Sequence, residues 1–309
     1  MFGFLVKRLL SAVLAIWVVI TVTFFVMHAI PGGPFQRDKV LPPAIRENIE
    51  RRYKLNDPLL TQYKDYLANL VKGDLGPSFK YRGQTVNGII AKRFPVSLEL
   101  GLAAFAIAII LGITAGTIAA FNQGTSIDYL IMSFSTLGVS IPSFILGTLL
   151  MLLLSYKLGL LPAATWGTPL HVIMPAISLA ALPTAYIARL TRSSMLDVLH
   201  TDYMKTAKAK GLPPRRIIWV HAIKNAVLPV ITYAGPLLAG IITGTFVVEN
   251  IFAVPGLGKH FVTSIYNRDY TVILGTTVFY SIFLIGLNML VDIAYSLLDP
   301  RIKLVERKE

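Results

Sequence analysis

Six runs of 22 to 29 residues with almost no charge recur along this chain of 309 residues, at 9–30, 97–121, 128–156, 172–193, 229–251 and 272–298. A bilayer core about 30 Å thick is crossed by roughly 20 residues of α-helix. In lipid the backbone must pair its own polar groups, so runs of this length read as transmembrane helices. A mean hydropathy of +0.64 with 15% charged residues is too apolar for an ordinary soluble domain. The expected fold is an all-α membrane protein with six transmembrane helices.

What lies between the runs sets the expected organisation. Residues 1–30 hold the N-terminus and the first helix. That run follows Lys7 and Arg8, as in a signal peptide, but it exceeds the usual apolar length of about 7 to 15 residues and lacks a small-x-small cleavage site. It reads as an uncleaved helix. Residues 31–96, with twelve Lys or Arg and six Asp or Glu, form an extended extracytoplasmic region. Within it, Ile45, Ile49, Tyr53 and then Leu60, Tyr63, Leu67 have helical spacing, interrupted at Asn56-Asp57-Pro58. Two short amphipathic helices are expected there. Residues 97–298 form a five-helix core with a basic loop at 194–228, and 299–309 are a cytoplasmic tail.

An even number of spans places both termini on one side. The short segments on that side carry fourteen Lys or Arg (Lys7, Arg8, Arg189, Arg192, Lys205, Lys208, Lys210, Arg215, Arg216, Lys224, Arg301, Lys303, Arg307, Lys308), against three on the other (Lys157, Lys259, Arg268). Positive charge stays in the cytoplasm, and long regions such as 31–96 translocate largely regardless of charge. Both termini are therefore expected in the cytoplasm.

The residues that carry chemistry elsewhere are absent or badly placed for it here. No cysteine is present, which excludes disulfides, thiolate metal sites and cysteine nucleophiles. No G-x-x-x-x-G-K-[ST] loop occurs, so ATP hydrolysis by that route is not expected of this chain. Secondary transporters and proton pumps keep ionisable residues near the bilayer midplane, whereas Glu99, Asp128, Arg189, Arg192, Glu249 and Asp292 sit toward helix ends, where such residues cap, snorkel or pair. The histidines (His28, His171 and His260 outside, His200 and His221 inside) show no ligand spacing, so no metal site is expected. Ser133, Ser135, Thr136, Thr243 and Thr245 have no base at matching depth and should bond to helix backbone. The net charge of +13 fits topology and anionic lipid rather than nucleic acid, since no groove-reading motif accompanies it. Gly112-x-x-x-Gly116 and Gly240-x-x-x-Gly244 suit close helix packing, and Pro142, Pro175, Pro183, Pro229 and Pro236 can each kink a helix.

The most informative stretch is the basic loop. Asp202-Tyr-Met-Lys-Thr-Ala-Lys-Ala-Lys-Gly211, followed by Leu-Pro-Pro-Arg-Arg216 and by His221 to Pro229, reads as a short helix, a glycine stop, a Pro-Pro break and a second basic helix. One reading is a juxtamembrane helix held on anionic lipid. Alternatively, small Thr206, Ala207 and Ala209 beside Gly211 make a narrow helix suited to a groove on a partner.

At these residues the chain resembles the membrane subunits of bacterial ABC importers, whose cytoplasmic loop carries E-A-A-x-x-x-G and a later Leu-Pro. Here Lys205-Thr206-Ala207 stands in place of E-A-A, with Lys208, Ala209 and Lys210 leading to Gly211, and with Leu228-Pro229 farther on. Other stretches resemble the peptide and nickel permease branch, and most closely the B-type subunit of oligopeptide permeases: Pro31-Gly-Gly-Pro-Phe35, Lys54-Leu-Asn-Asp-Pro58, Gly73-Asp-Leu-Gly-Pro-Ser-Phe-Lys-Tyr81, Phe94-Pro-Val-Ser97, Ile141-Pro-Ser-Phe144, Pro255-Gly-Leu-Gly258, Asn267-Arg-Asp-Tyr270 and Leu298-Asp-Pro-Arg301. They run in order along nearly the whole chain.

The resemblance implies a type I importer bundle and a passage for oligopeptides. Its partners would be a second homologous permease subunit, two cytoplasmic ABC ATPase subunits that use ATP and Mg, and an extracytoplasmic peptide-binding protein. It implies no catalytic residue and no cofactor in this chain. Lys205 to Gly211 would be the helix that docks on an ATPase, with Ala207 keeping its contact face small and Leu228-Pro229 supporting the loop. The region 31–96 and Asn267, Arg268 and Asp269 would face the binding protein. A dipeptide or nickel permease is the alternative within the branch; an ATP-independent secondary transporter is the alternative from another class.

Overall fold

The computed structural model describes residues 2–30, 33, 55–213, 216–243 and 245–298, and every element named among them is a helix. In chain order these are α1 (Phe2–Ala29), α2 (Leu59–Val71), α3 (Val86–Phe121), α4 (Ser126–Ser140), α5 (Ser143–Leu150, continued by a π-helical stretch Met151–Lys157), α6 (Pro169–Leu199), α7 (Asp202–Ala209), α8 (Ile223–Ala226, preceded by a π-helical Ile217–Ala222), α9 (Leu228–Thr243), α10 (Phe246–Ile251), α11 (Leu257–Asn267) and α12 (Tyr270–Leu298). Among the described residues, five stretches are long and apolar enough to cross a bilayer, namely Val6–Ala29, Val86–Phe121, Pro169–Leu199, Leu228–Ile251 and Tyr270–Val291. A sixth exists if α4 and the α5 segment count together.

That sixth run, expected at 128–156, is bent at Pro142, one of the prolines read as able to kink a helix, and its two pieces meet at 104°. Pro142 has no N–H to give the Gly138 carbonyl, and its ring pushes Ile141 out of the helical region, to φ −93° and ψ 116°. The second span also begins earlier than the expected residue 97. α3 has 36 residues, about 54 Å at 1.5 Å each, so its first turns extend past the apolar core and carry Lys92 and Arg93 in helical backbone. In the 43–70 segment the second expected amphipathic helix is present as α2, with Pro58 at its N-cap, while the first lies outside the described residues.

The chain divides into two compact units, Met1–Val96 with Gly256–Ile285, and Ser97–Pro255 with Gly286–Glu309. In the first, aromatic residues join the elements. Phe24 and Met27 of α1 pack with Tyr270, Ile273 and Leu274 of α12, against Tyr63 and Tyr66 of α2. Val86, Ile89 and Ile90 of α3 pack on Leu257 and Val272. The second unit relies on small residues. A Cβ added to Gly112 would lie 2.7 Å from Ile187, and one added to Gly116 would lie 2.4 Å from the Ala188 carbonyl oxygen, so α3 meets α6 nearly backbone to backbone. Gly240 behaves differently: an added Cβ there meets nothing within 4 Å.

Candidate functional site

The segment singled out in the basic loop folds as a two-turn helix clipped to its own bundle. α7 follows Thr201, whose carbonyl accepts from the Met204 and Lys205 N–H groups, each at 3.2 Å. It ends at Gly211, which takes φ +69°, and the Leu212 N–H then reaches back to the Ala207 carbonyl at 3.4 Å. This is the long-range bond of a Schellman cap, and the left-handed residue it requires is favoured as glycine. Nothing lies within 4 Å of a Cβ built on Gly211, so the constraint is the backbone and not space.

Met204 is fully buried and Ala207 is 6% exposed; both pack with Ala120, Met195, Ile217, Ala222 and Ala226, with Leu212 against the same cluster. Residues three apart share a helix face, which is why the pair points inward together. Ala207 therefore does not form part of an outward contact face, as the resemblance implied; its methyl fills the chain's own core. The outward face is made of Lys205, Thr206 and Ala209, followed by Lys210 and Gly211, all exposed. Lys205 pairs with Asp202 at 2.9 Å, and Asn225 donates to the Tyr203 hydroxyl at 2.8 Å, tying α7 to the following helical segment. Leu228 and Pro229 open α9, where a proline without an N–H is tolerated because first-turn donors have no helical acceptor. The side chain of Lys208 lies outside the described residues.

Four of the charged residues at helix ends, Asp128, Arg189, Arg192 and Glu249, are paired or hydrogen-bonded, and the side chain of Asp292 lies outside the described residues. Arg192 of α6 forms a two-pronged bond with Asp128 of α4, both contacts at 2.7 Å, and the Gly124 N–H donates to the same carboxylate at 3.0 Å. Arg189 donates to the Thr136 hydroxyl at 2.8 Å. Glu249 is fully buried, and its Oε1 accepts from the Ser97 and Thr245 hydroxyls, both at 2.6 Å. These contacts fix helix ends.

In the first unit, α11 stops at Asn267, Arg268 takes a left-handed φ of 57°, and Asp269 is fully buried. The Asp269 carboxylate accepts from the Ser78 hydroxyl, from Phe79 and Lys80 N–H at 3.1 and 3.3 Å, and from the Thr271 hydroxyl at 3.0 Å. It holds the 73–81 loop against the start of α12. Of the three residues expected to face a binding protein, Asn267 is exposed and Arg268 half-buried, but the Asp269 side chain is an internal anchor. Nearby, His260 stacks on Tyr81 with ring centres 5.0 Å apart. Burial, then the charge of Arg93, holds its pKa below the ordinary value, with Asp269 opposing and Lys259 adding to the effect.

Three of the five span prolines, unconnected in the sequence, line one cavity of about 560 Å³ in the second unit. Pro142 at the α4–α5 break, Pro183 of α6 and Pro236 of α9 meet there with Ser140, Ser143 and Tyr233. Tyr233 lies 4.5 Å, ring centre to ring centre, from Tyr186 of α6. The two tyrosines escape a sequence reading, because single aromatics in an apolar run give no signal of their own.

Residues 112–304 match the family described as binding-protein-dependent transport system inner membrane component, and residues 1–101 match the N-terminal region of such membrane components. The chain belongs to this family. Among curated relatives it is 50% identical to the oligopeptide transport system permease protein OppB of Haemophilus influenzae, over 98% of this chain and all of the relative. It is 52% identical to the dipeptide transport system permease protein DppB of Bacillus subtilis, over 97% of this chain and 98% of that one, and 46% identical to OppB of Escherichia coli K12, over 98% and 100%. Among solved structures it resembles the MetNI methionine ABC transporter (TM-score 0.53, 17% identity, 67% of this chain and 93% of that chain) and an amino acid ABC transporter (TM-score 0.52, 14% identity, 68% and 94%). These likenesses carry the fold, a type I importer permease bundle. As a member of this inner membrane family, the chain is a multi-pass transport component.

Proposed function

We propose that this chain is one membrane-spanning subunit of an ATP-driven peptide importer and forms part of the passage for peptides handed over by an extracytoplasmic binding protein. The observation that carries this reading is near full-length identity of 46 to 52% to oligopeptide and dipeptide permease proteins. A second homologous permease subunit completes the passage, and two cytoplasmic ATPase subunits supply the work using ATP and Mg. The surface Lys205, Thr206, Ala209, Lys210 and Gly211 docks on one of them. A helix whose inner face is anchored by Met204 and whose outer face is small and basic supports that role. Both termini and α7 are cytoplasmic, in line with the lysine and arginine bias. The similar identities to OppB and DppB relatives favour no peptide length class, and a dipeptide importer is the second reading.

The test is co-purification with the second permease subunit and the ATPases, followed by peptide-stimulated ATP hydrolysis in liposomes with the binding protein. Thr206→Asp and Ala209→Asp change only the exposed face of α7 and should abolish stimulation or release the ATPase while leaving the fold intact. Peptide uptake by this chain alone, independent of ATP, would refute the proposal.

A further inference from the structure

The α4–α5 break is irregular backbone inside an apolar stretch. Such backbone is tolerated at membrane depth only where protein buries it or where it lines a water-filled cavity, because lipid satisfies no polar group. The Ile141 N–H bonds to the Leu137 carbonyl at 3.0 Å, and the Ile145 and Leu146 N–H groups bond to Pro142 at 3.0 and 3.1 Å. Among the described residues, no backbone N–H across the break reaches the carbonyls of Gly138, Val139 or Ser140. Pro183 acts on the same cavity in the same way, removing the donor for the carbonyl of Leu179, four residues earlier, and both residues line it. The α4–α5 break and α6 thus bring acceptor-rich backbone to one space. Tyr233 and Ser143 line it too, and the volume of about 560 Å³ falls within the range of about 300 to 1,000 Å³ usual for ligand sites.

We infer that this proline-lined cavity is a subsite that holds the main chain of a passing peptide. Peptide N–H groups donate to the freed carbonyls of Val139 and Ser140, while the Tyr233 and Ser143 hydroxyls donate to peptide carbonyls. Main-chain groups recur in every peptide, so such a site grips the substrate without choosing among side chains. The inference rests on the peptide-importer reading and assigns one place on the passage within it.

Because this chain has no cysteine, each single replacement gives it one thiol, and labelling is read on this subunit after separation from the others. Ser140→Cys, Ser143→Cys and Gly240→Cys are conservative or open positions, and Leu130→Cys on the exposed face of α4 is the control. The complete transporter, with its binding protein, is treated with a charged thiol reagent, with and without trialanine and ATP. Modification at 140, 143 and 240 is expected at least tenfold faster than at 130, and peptide should slow it at least threefold. Tyr233→Phe, which removes one hydroxyl, should weaken that protection about threefold to tenfold, the usual range for one hydrogen bond. Rates equal to the control at 130, or fast modification indifferent to peptide, would overturn the subsite. If the unmodified transporter fails to couple dialanine, trialanine and longer peptides alike to ATP hydrolysis, the importer reading falls, and the inference with it.

Discussion

At the residue scale, three side-chain or backbone details carry distinct expectations. Gly211 needs a left-handed backbone and no space, so Gly211→Ala should cost about 1 to 2 kcal/mol of local stability, a factor of roughly 5 to 30 in opening of the α7 cap. Hydrogen exchange of the 202–212 segment measures this, and Gly211→Asn should cost less, since asparagine tolerates the same region. Arg192→Ala leaves the Asp128 carboxylate without its cation; the arginine is partly exposed, so the cost is that of one unsatisfied buried acceptor, about 1 to 3 kcal/mol. A fall in the thermal midpoint is expected, with partial recovery in Asp128→Asn/Arg192→Ala, where no charge remains to be buried. His260 titrates below its ordinary value near 6.5 because burial, and then Arg93, disfavour its charged form. The unfolded chain then binds a proton that the folded one does not, so stability falls as pH drops through about 6.5 toward the lower folded value. The slope of midpoint against pH between 7.5 and 5.5 should flatten in His260→Gln.

At the element scale, the spans were legible because a crossing helix must be apolar for about 20 residues, and that pattern survives any packing arrangement. Their edges were not. Lys92 and Arg93 read as loop because they are charged, yet α3 is already helical from Val86, since a helix does not stop where the bilayer does. The α7 helix and its glycine stop followed from local residue preferences. The inward turn of Ala207 did not: small size fits a partner's groove and a tight core equally well. Met204, a lone large apolar residue in a basic stretch three positions before it, was the available clue. Asp269 was illegible for another reason, since its Ser78 partner lies 191 positions away and no local pattern reports it. Met204→Ala is expected to remove about 2 to 5 kcal/mol of packing, enough to release a two-turn helix. Exchange protection should then vanish over 202–212 and persist in α3 and α6; retained protection at α7 would show that something other than this cluster holds it.

At the scale of the whole molecule, the bent α4–α5 pair decides the parity of the topology. If it crosses the bilayer, the spans are six and the termini share a side; if it turns back, they are five and the termini lie on opposite sides. Crossing is expected. Cysteines at Gln123 and Leu160, on either flank of the pair, should react with an impermeant maleimide from opposite faces of the membrane, and reaction of both from the same face would reverse the assignment. The anchoring of α7 carries a further mechanical meaning. Its inner residues touch Ala120 at the end of α3, Met195 near the end of α6, and Ala222 and Ala226 before α9. A close-packed interior has low compressibility and transmits strain. A displacement of α7 by an ångström therefore reaches the ends of three long helices as motion and is not lost as local deformation, which makes the small basic helix the stiff handle of a lever whose arms are the spans.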